Sequence, residues 1–253
     1  MNPVIVRNIK IGEGIPKICV PIVGVTVEDI INEAKSFDEI PLDLVEWRSD
    51  WYEDVFEFEK VKEVLAELRG VLGDTPILFT FRTAKEGGEK EIEESTYLAL
   101  NQMAAETGYA DLIDVELFSG EHIVKPIIEK AHKNGVKVVA SNHDFQMTPS
   151  QGEIVKRLQN MQELGADILK IAVMPQTKKD VLTLLSATEE MVMLYAEQPV
   201  VTMSMSGKGV ISRLAGEVFG SAMTFGAAKK ASAPGQIPVG ELAQVLDILH
   251  HAQ

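Results

Sequence analysis

The chain has 253 residues, of which 45% are hydrophobic, and it carries a formal net charge of −14 and a single cysteine, Cys19. One cysteine excludes an intrachain disulfide, and the negative charge argues against nucleic acid as a partner because phosphates would be repelled. No run approaches the roughly 18 apolar residues of a membrane span, and the N-terminal segment lacks the apolar core of a signal peptide. We therefore expect a cytoplasmic protein with no membrane partner.

Apolar segments and helical patterns alternate along almost the whole chain. Residues 3–15 resemble a short hairpin before the main repeat. Eight strand–helix units follow, with strands at 17–23, 43–48, 77–82, 112–117, 136–142, 168–173, 200–205 and 222–226, and helices at 29–37, 58–68, 92–106, 122–134, 152–164, 177–193, 210–219 and 239–250. Helices between successive strands force parallel pairing, and a length of about 250 residues is typical of a closed barrel. The sequence predicts one α/β domain over residues 1–253, a (β/α)8 TIM barrel with an N-terminal β-hairpin closing the bottom.

Charged residues concentrate where the predicted strands end. In a (β/α)8 barrel, catalytic groups come from the C-terminal ends of the strands and from the loops after them. These positions hold Glu46, Arg48, Arg82, Glu86, Glu116, His143, Lys170 and Arg213. Because strand interiors are normally apolar, this concentration predicts a functional site at one mouth of the barrel.

Lys170 lies in the apolar segment 166–175, which ends at Pro175. A buried ammonium is costly, and a lysine that responds with a lowered pKa populates the neutral amine, which attacks a carbonyl to form a Schiff base. Two alternatives remain at this point. The side chain could reach water from the strand end, or it could pair with a carboxylate.

His143 directly follows a strong predicted strand, which favours a catalytic role over the structural role that a single histidine more often has. Glu86 is within plausible reach of it. The sequence contains no His-x-His, no His-Glu-x-x-His and no cysteine pair. We therefore expect no metal site.

The remaining candidates also have structural alternatives. Glu46 and Arg48 share one face of a strand and could form a plain ion pair, and Arg82 could pair with Glu46. Residues 206–209 could be a phosphate-binding turn or an ordinary mobile loop. Residues 227–236 have the composition of a lid, which includes Lys229 and Lys230, but equally that of a surface loop.

Taken together, these motifs resemble the type I 3-dehydroquinate dehydratases of the shikimate pathway over essentially the whole chain. The most specific part is Asp114-Val115-Glu116-Leu117 followed, after twenty residues, by Val138-Val139-Ala140-Ser141-Asn142-His143-Asp144. The other matching segments are Glu46-Trp47-Arg48, Phe81-Arg82-Thr83 with Glu86-Gly87-Gly88, Lys170 with the Ile-Ala-Val-Met-Pro after it, Met203-Ser204-Met205 with Gly207, Ser212-Arg213, and Ser232-Ala233-Pro234-Gly235-Gln236.

The resemblance implies a homodimeric barrel that converts 3-dehydroquinate to 3-dehydroshikimate without metal or other cofactor. Lys170 would form the imine, His143 would act as general base and then general acid, and Glu86 would orient His143. The resemblance further implies that Arg213, Ser232 and Gln236 bind the substrate carboxylate. Glu46, Arg48 and Arg82 would bind the ring hydroxyls, and Met203, Met205 and Phe225 would form an apolar wall.

Two other functions fit parts of the pattern. A class I aldolase shares the barrel and the imine-forming lysine but cleaves a carbon–carbon bond, often on phosphorylated substrates. A catalytically inactive binding barrel is the second alternative. It would be expected to have lost Lys170 or His143, and both are present.

Overall fold

The computed structural model describes residues 2–228 and 232–253, and its central feature is a parallel sheet that curls into a barrel. A hairpin of β1 (Val4–Val6) and β2 (Ile9–Ile11) precedes it. The barrel strands are β3 (Lys17–Ile22), β4 (Leu44–Arg48), β5 (Ile77–Thr80), β6 (Leu112–Glu116), β7 (Lys137–Asp144), β8 (Ile168–Val173), β9 (Val200–Ser204) and β10 (Met223–Ala227). Consecutive strands pair from β3 to β9, and β10 pairs with β3. At the remaining seam, Val200 bridges to Ser221, and the Ala222 N–H donates to the Val200 carbonyl at 2.8 Å. The predicted (β/α)8 barrel is confirmed.

Helices cover the outside of the barrel close to their predicted positions. They are α1 (Val27–Lys35), α2 (Phe58–Leu72), α3 (Glu94–Glu106), α4 (Glu121–Lys133), α5 (Gln151–Glu163), α6 (Lys178–Leu194), α7 (Val210–Leu214), α8 (Gly216–Phe219) and α9 (Val239–His251). α1 begins with a reciprocal capping box between Thr26 and Asp29.

Two details differ from the sequence prediction. The single helix expected at 210–219 is divided into α7 and α8, because the backbone at Ala215 leaves the helical range at ψ 21°. The backbone at Gly216 also lies close to Ser221, since a Cβ on Gly216 would be 3.0 Å from the Ser221 carbonyl oxygen. The second difference is a short strand, β11 (Ile237–Pro238), which pairs with β10 and was not predicted.

Alternation along the strands separates two apolar regions. Outward side chains such as Val45 and Trp47 pack under the helices. Inward side chains near the strand starts, Leu44, Leu78, Leu112, Val139 and Ile168, form one cluster with Val4, Val6 and Ile11 of the hairpin. The hairpin therefore closes the N-terminal end of the barrel, as predicted.

On five strands, the next inward-facing side chain after this apolar cluster is polar. Glu46 follows Leu44, Thr80 follows Leu78, and the same two-residue step leads to Asp114, Ser141 and Lys170 on the next three strands. All five are buried. The barrel interior thus changes from an apolar base to a polar layer that opens toward the C-terminal mouth.

Candidate active site

One pocket at the C-terminal mouth of the barrel brings together all twelve site residues named from the sequence. It encloses about 480 Å³ of space not filled by atoms, part of which is open to solvent. Its lining includes Glu46, Arg48, Arg82, Glu86, His143, Lys170, Met203, Met205, Arg213, Phe225, Ser232 and Gln236. Gly87, Phe145, Ala172 and Ala233, to which the sequence analysis gave no role, complete it.

Lys170 on β8 is 4% exposed and lies between carboxylates and an aromatic ring. Its Nζ is 3.3 Å from Asp114 Oδ2 and 3.6 Å from Glu46 Oε1, and it is 4.6 Å from the centre of the Phe225 ring. The carboxylate pairing left open by the sequence is therefore present, alongside one residue of the expected apolar wall.

Asp114 is one of two residues at this site that were not predicted from the sequence. It is fully buried, and its Oδ1 accepts hydrogen bonds from Arg82 Nη2 and Ser141 Oγ, both at 2.7 Å. Burial raises the pKa of this carboxyl, but Arg82 and Lys170 outweigh burial and hold the pKa below its ordinary value. Its position two residues before Glu116 on one strand was the available signal, because both side chains must face the barrel interior.

Arg82 acts as the anchor of the buried carboxylates. Its Nη1 donates to Glu116 Oε1 at 2.9 Å and to Ser141 Oγ at 3.0 Å, while Nη2 is bound to Asp114. Its carboxylate partners in the described part of the chain do not include Glu46, so the pairing considered from the sequence is wrong. The carboxylates raise the pKa of Arg82 despite its burial.

His143 and Glu86 form a buried pair. Glu86 Oε2 lies 3.1 Å from His143 Nδ1 and accepts the His143 backbone N–H at 2.8 Å. Burial, followed by the charges of Arg82 and Lys170, holds the pKa of His143 well below 6.5. Burial and Glu116 raise the pKa of Glu86 to about 7. The imidazole is therefore neutral and able to accept a proton, with Nδ1 directed at Glu86.

Arg48 is fixed by a second residue that the sequence analysis missed, Asp50. Arg48 Nε and Nη2 donate to the two Asp50 oxygens, each at 2.8 Å. Asp50 also accepts the backbone N–H groups of Arg82 at 3.3 Å and Glu89 at 3.1 Å. The carboxylate therefore ties Arg48 to the loop that carries Glu86, and its place just beyond a strand end was the available signal.

Arg213 differs from the other two arginines because no acidic side chain within residues 2–228 and 232–253 pairs with it. Nη2 donates to the Pro234 carbonyl at 3.1 Å, and Nη1 approaches Met203 Sδ at 3.7 Å. Among the described residues, its buried Nε has no acceptor, and burial lowers the pKa of Arg213 to about 10. An unpaired guanidinium facing a pocket is suited to bind a carboxylate ligand.

The loop after β10 contributes Ser232 and Gln236. The Ser232 N–H donates to Gln236 Oε1 at 2.9 Å, and Gln236 Nε2 donates to Ser232 Oγ at 3.0 Å. The predicted lid also includes Lys229, Lys230 and Ala231, which lie outside the described residues. Residues 206–209, which from the sequence could be a phosphate-binding turn or an ordinary loop, contain a short 3-10 turn at Gly207–Gly209.

Two further features are absent from the described residues. They contain no group of His, Cys, Asp and Glu side chains that could hold a metal ion. None of their helices has the length and apolar character needed to cross a membrane.

The family model and the relatives that are more than 30% identical to this chain point to one family. The family model described as type I 3-dehydroquinase matches residues 18–253. A 3-dehydroquinate dehydratase of Listeria monocytogenes is 61% identical over 250 residues, which cover 99% of both chains.

Solved structures extend the similarity to the fold. The type I 3-dehydroquinate dehydratase from Clostridium difficile, crystallised with covalent modified comenic acid, is 58% identical and has a TM-score of 0.98, with 100% of both chains covered. The 3-dehydroquinate dehydratase from Enterococcus faecalis is 50% identical with a TM-score of 0.92, and the match covers 97% of this chain and 99% of that one.

Proposed function

The chain belongs to the type I 3-dehydroquinase family, and from this premise we propose that it dehydrates 3-dehydroquinate to 3-dehydroshikimate through an imine on Lys170. One observation carries the proposal. Lys170 and His143 line the same pocket from neighbouring strands, in a register that pairs Ser141 with Lys170 and His143 with Ala172.

The first step joins enzyme and substrate. Lys170 gives up one ammonium proton, its amine attacks the C3 ketone, and that proton and a second from the nitrogen leave with the ketone oxygen as water. The product is a protonated imine, which withdraws electrons from the C2–H bond more strongly than a ketone. Asp114 and Glu46 lie close enough to Nζ to balance the positive charge of both the ammonium and the protonated imine. The charge near these carboxylates therefore changes little during the step.

His143 performs the two proton transfers that follow. The neutral imidazole removes the C2 proton, and the electron pair forms an enamine. The same proton then goes to the C1 hydroxyl, which leaves as water while the imine is restored. Hydrolysis of that imine releases 3-dehydroshikimate and the lysine amine. Glu86 holds Nδ1 throughout, so that the other ring nitrogen faces the substrate.

The remaining lining residues bind the substrate. The unpaired guanidinium of Arg213, with Ser232 and Gln236, holds the carboxylate. Ring hydroxyls contact Glu46, Arg48 and Arg82, and the apolar side chains of Met203, Met205 and Phe225 cover the ring. We assign the carboxylate to Arg213 and the hydroxyls to the other two arginines because of their ion pairs. Arg48 and Arg82 are each paired with a carboxylate of the protein, whereas Arg213 has no such partner within the described chain.

The same proposal includes the setting of the reaction. We infer a homodimer acting in the cytoplasm within the shikimate pathway, with 3-dehydroquinate as its small-molecule partner and with no metal or other cofactor required. Sedimentation equilibrium tests the dimer, which requires twice the mass of one chain.

An enone assay tests the reaction. The purified protein is mixed with 3-dehydroquinate in the presence of a chelator, and the conjugated enone absorbance of the product is followed. The proposal requires this absorbance to rise. A class I aldolase would instead release carbon–carbon cleavage products without an enone, and either that result or no reaction would reject the proposal.

A further inference from the structure

A chain of hydrogen bonds runs from helix α5 to the candidate active site. Arg157 on α5 donates from Nη1 to Asn142 Oδ1 at 2.9 Å, and Asn142 donates from Nδ2 to Glu86 Oε1 at 3.1 Å. Glu86 contacts His143 through its other oxygen. Arg157 and Asn142 lie behind the pocket and do not line it.

We propose that Arg157 and Asn142 are positioning residues that keep Glu86 an anion directed at His143, so that His143 can act as a base at neutral pH. This inference rests on the proposed function of the same site. It assigns a role in the reaction to Arg157. This side chain touches neither the substrate nor the side chains of His143 and Lys170.

The partners of the Asn142 amide fix its orientation. An arginine can only donate hydrogen bonds, so the amide oxygen must face Arg157 and the amide NH2 group must face Glu86. Asn142 is 2% exposed, and rotation of the amide would direct its oxygen at the carboxylate while losing both bonds. Arg157 thereby fixes a donor against Glu86.

Arg157 is itself held in place. Its Nε donates to Glu153 Oε1 at 2.8 Å, its guanidinium lies 5.1 Å from the centre of the Phe118 ring, and Asp144 Oδ2 is 3.9 Å away. The side chain is 17% exposed. A planar group fixed by a carboxylate and a ring presents Nη1 to Asn142 in one direction.

Glu86 is balanced between two protonation states. The charged and titratable groups that face it are Arg82 at 3.8 Å, Glu116 and His143. Burial and Glu116 raise its pKa to about 7, while Arg82, the Asn142 amide and the His143 backbone N–H favour the anion. Near neutral pH, the loss of one donor therefore changes the ionised fraction substantially.

The test is the pH dependence of kcat/KM, which reports ionisation in the free enzyme. Without its amide donor, Glu86 should require a higher pH to ionise. For Asn142→Ala we expect the acid limb to move upward by about one pH unit, so that kcat/KM falls about tenfold at about pH 6 but stays within about twofold of the wild type at about pH 9. Arg157→Met should shift the limb in the same direction by a smaller amount.

Two further variants separate positioning from general stability. Because Arg157 acts through Asn142, the double variant Asn142→Ala/Arg157→Met should have the same profile as Asn142→Ala alone. Glu153→Ala removes one of the groups that hold Arg157 but leaves the Asn142 bond, so it should move the acid limb less than Arg157→Met does.

Each remaining result rejects the inference. An equal loss of kcat/KM at every pH in Asn142→Ala, an unshifted limb in Arg157→Met, or additive effects in the double variant would show that these residues only stabilise the fold. If Asn142→Ala does not fold, the Arg157→Met profile decides alone. Failure of the wild type to dehydrate 3-dehydroquinate would reject the proposed function, which is a separate outcome.

Discussion

At the scale of single residues, the three arginines of the pocket differ in the partners that hold them. Arg48 is bound by Asp50 and Arg82 by Asp114 and Glu116, whereas Arg213 has an Nε without an acceptor in the described chain. A guanidinium already bound to carboxylates is fixed in position and partly neutralised. The anion site of the pocket should therefore be at Arg213.

The protonation state of His143 gives a direct prediction. Burial and the surrounding cations hold its pKa well below 6.5, so the imidazole should remain neutral at about pH 6, where free histidine is mostly protonated. Nitrogen NMR of the labelled histidine side chains, with His143 assigned by its absence from His143→Ala, measures this. A protonated His143 ring at that pH would contradict the assignment of His143 as a ready base.

Glu86 should make the stability of the protein depend on pH. Its pKa is about 7 in the fold against 4.5 ordinarily, so the folded state favours the protonated form. The stabilisation it provides is complete below about pH 4.5 and is lost as the pH rises through about 7. Glu86→Gln removes this loss, so the stability of the variant relative to the wild type should be greater at about pH 8 than at about pH 5, by roughly 1–3 kcal/mol.

Urea unfolding at the two pH values measures this difference. Hydrogen bonds that the glutamine amide makes or loses at both pH values contribute equally to the two stability measurements, so they cancel in the difference. A relative stability independent of pH would mean that Glu86 is an ordinary ionised carboxylate in the fold.

At the scale of elements, the strands place the site and the loops complete it. The sequence predicted the eight barrel strands because alternation and apolar runs depend on neighbours along the chain. It also placed the charged residues at the correct mouth, since the inward period of two continues from Leu44 to Glu46 and Arg48. It did not predict that Arg82 pairs with Asp114 on β6 instead of Glu46 on β4, because the choice between these carboxylates depends on distances between strands.

The Glu86 loop depends on a glycine at a close backbone approach. A Cβ on Gly88 would lie 1.9 Å from the Arg82 carbonyl oxygen, and the Gly88 N–H donates to the Thr83 carbonyl at 2.8 Å. Gly88→Ala must therefore displace the loop, and we expect a loss of about 1–3 kcal/mol in stability together with a lower kcat/KM.

The control for this prediction is Gly70→Ala in α2, where a Cβ meets nothing within 4 Å. Alanine in a helix interior should increase stability by up to about 1 kcal/mol and leave the activity unchanged. Thermal unfolding and the enone assay measure both variants. Equal effects of the two substitutions would mean that the loop accommodates a side chain at Gly88.

At the scale of the whole molecule, the barrel needs its N-terminal hairpin as a base. Ile11 is fully buried in the cluster at the strand starts, whereas Ile5 on the same hairpin is 63% exposed. Ile11→Ala should cost about 2–5 kcal/mol, because it leaves a cavity at the centre of the barrel base. Ile5→Ala should change stability by less than about 0.5 kcal/mol.

Chemical denaturation of these two variants tests the hairpin. The matched pair has the same substitution on neighbouring strands, so local propensity is nearly equal. Similar losses for both, or no loss for Ile11→Ala, would show that the hairpin contributes little to closing the barrel.

The covalent step at Lys170 is the central claim, and reduction by borohydride in the presence of 3-dehydroquinate tests it most directly. The wild type should be inactivated and should carry the reduced substrate adduct on the peptide that contains Lys170. His143→Ala should still be trapped, because imine formation precedes its role, and Lys170→Met should not be labelled. An unmodified Lys170 peptide in a wild-type protein that turns over substrate would contradict the account.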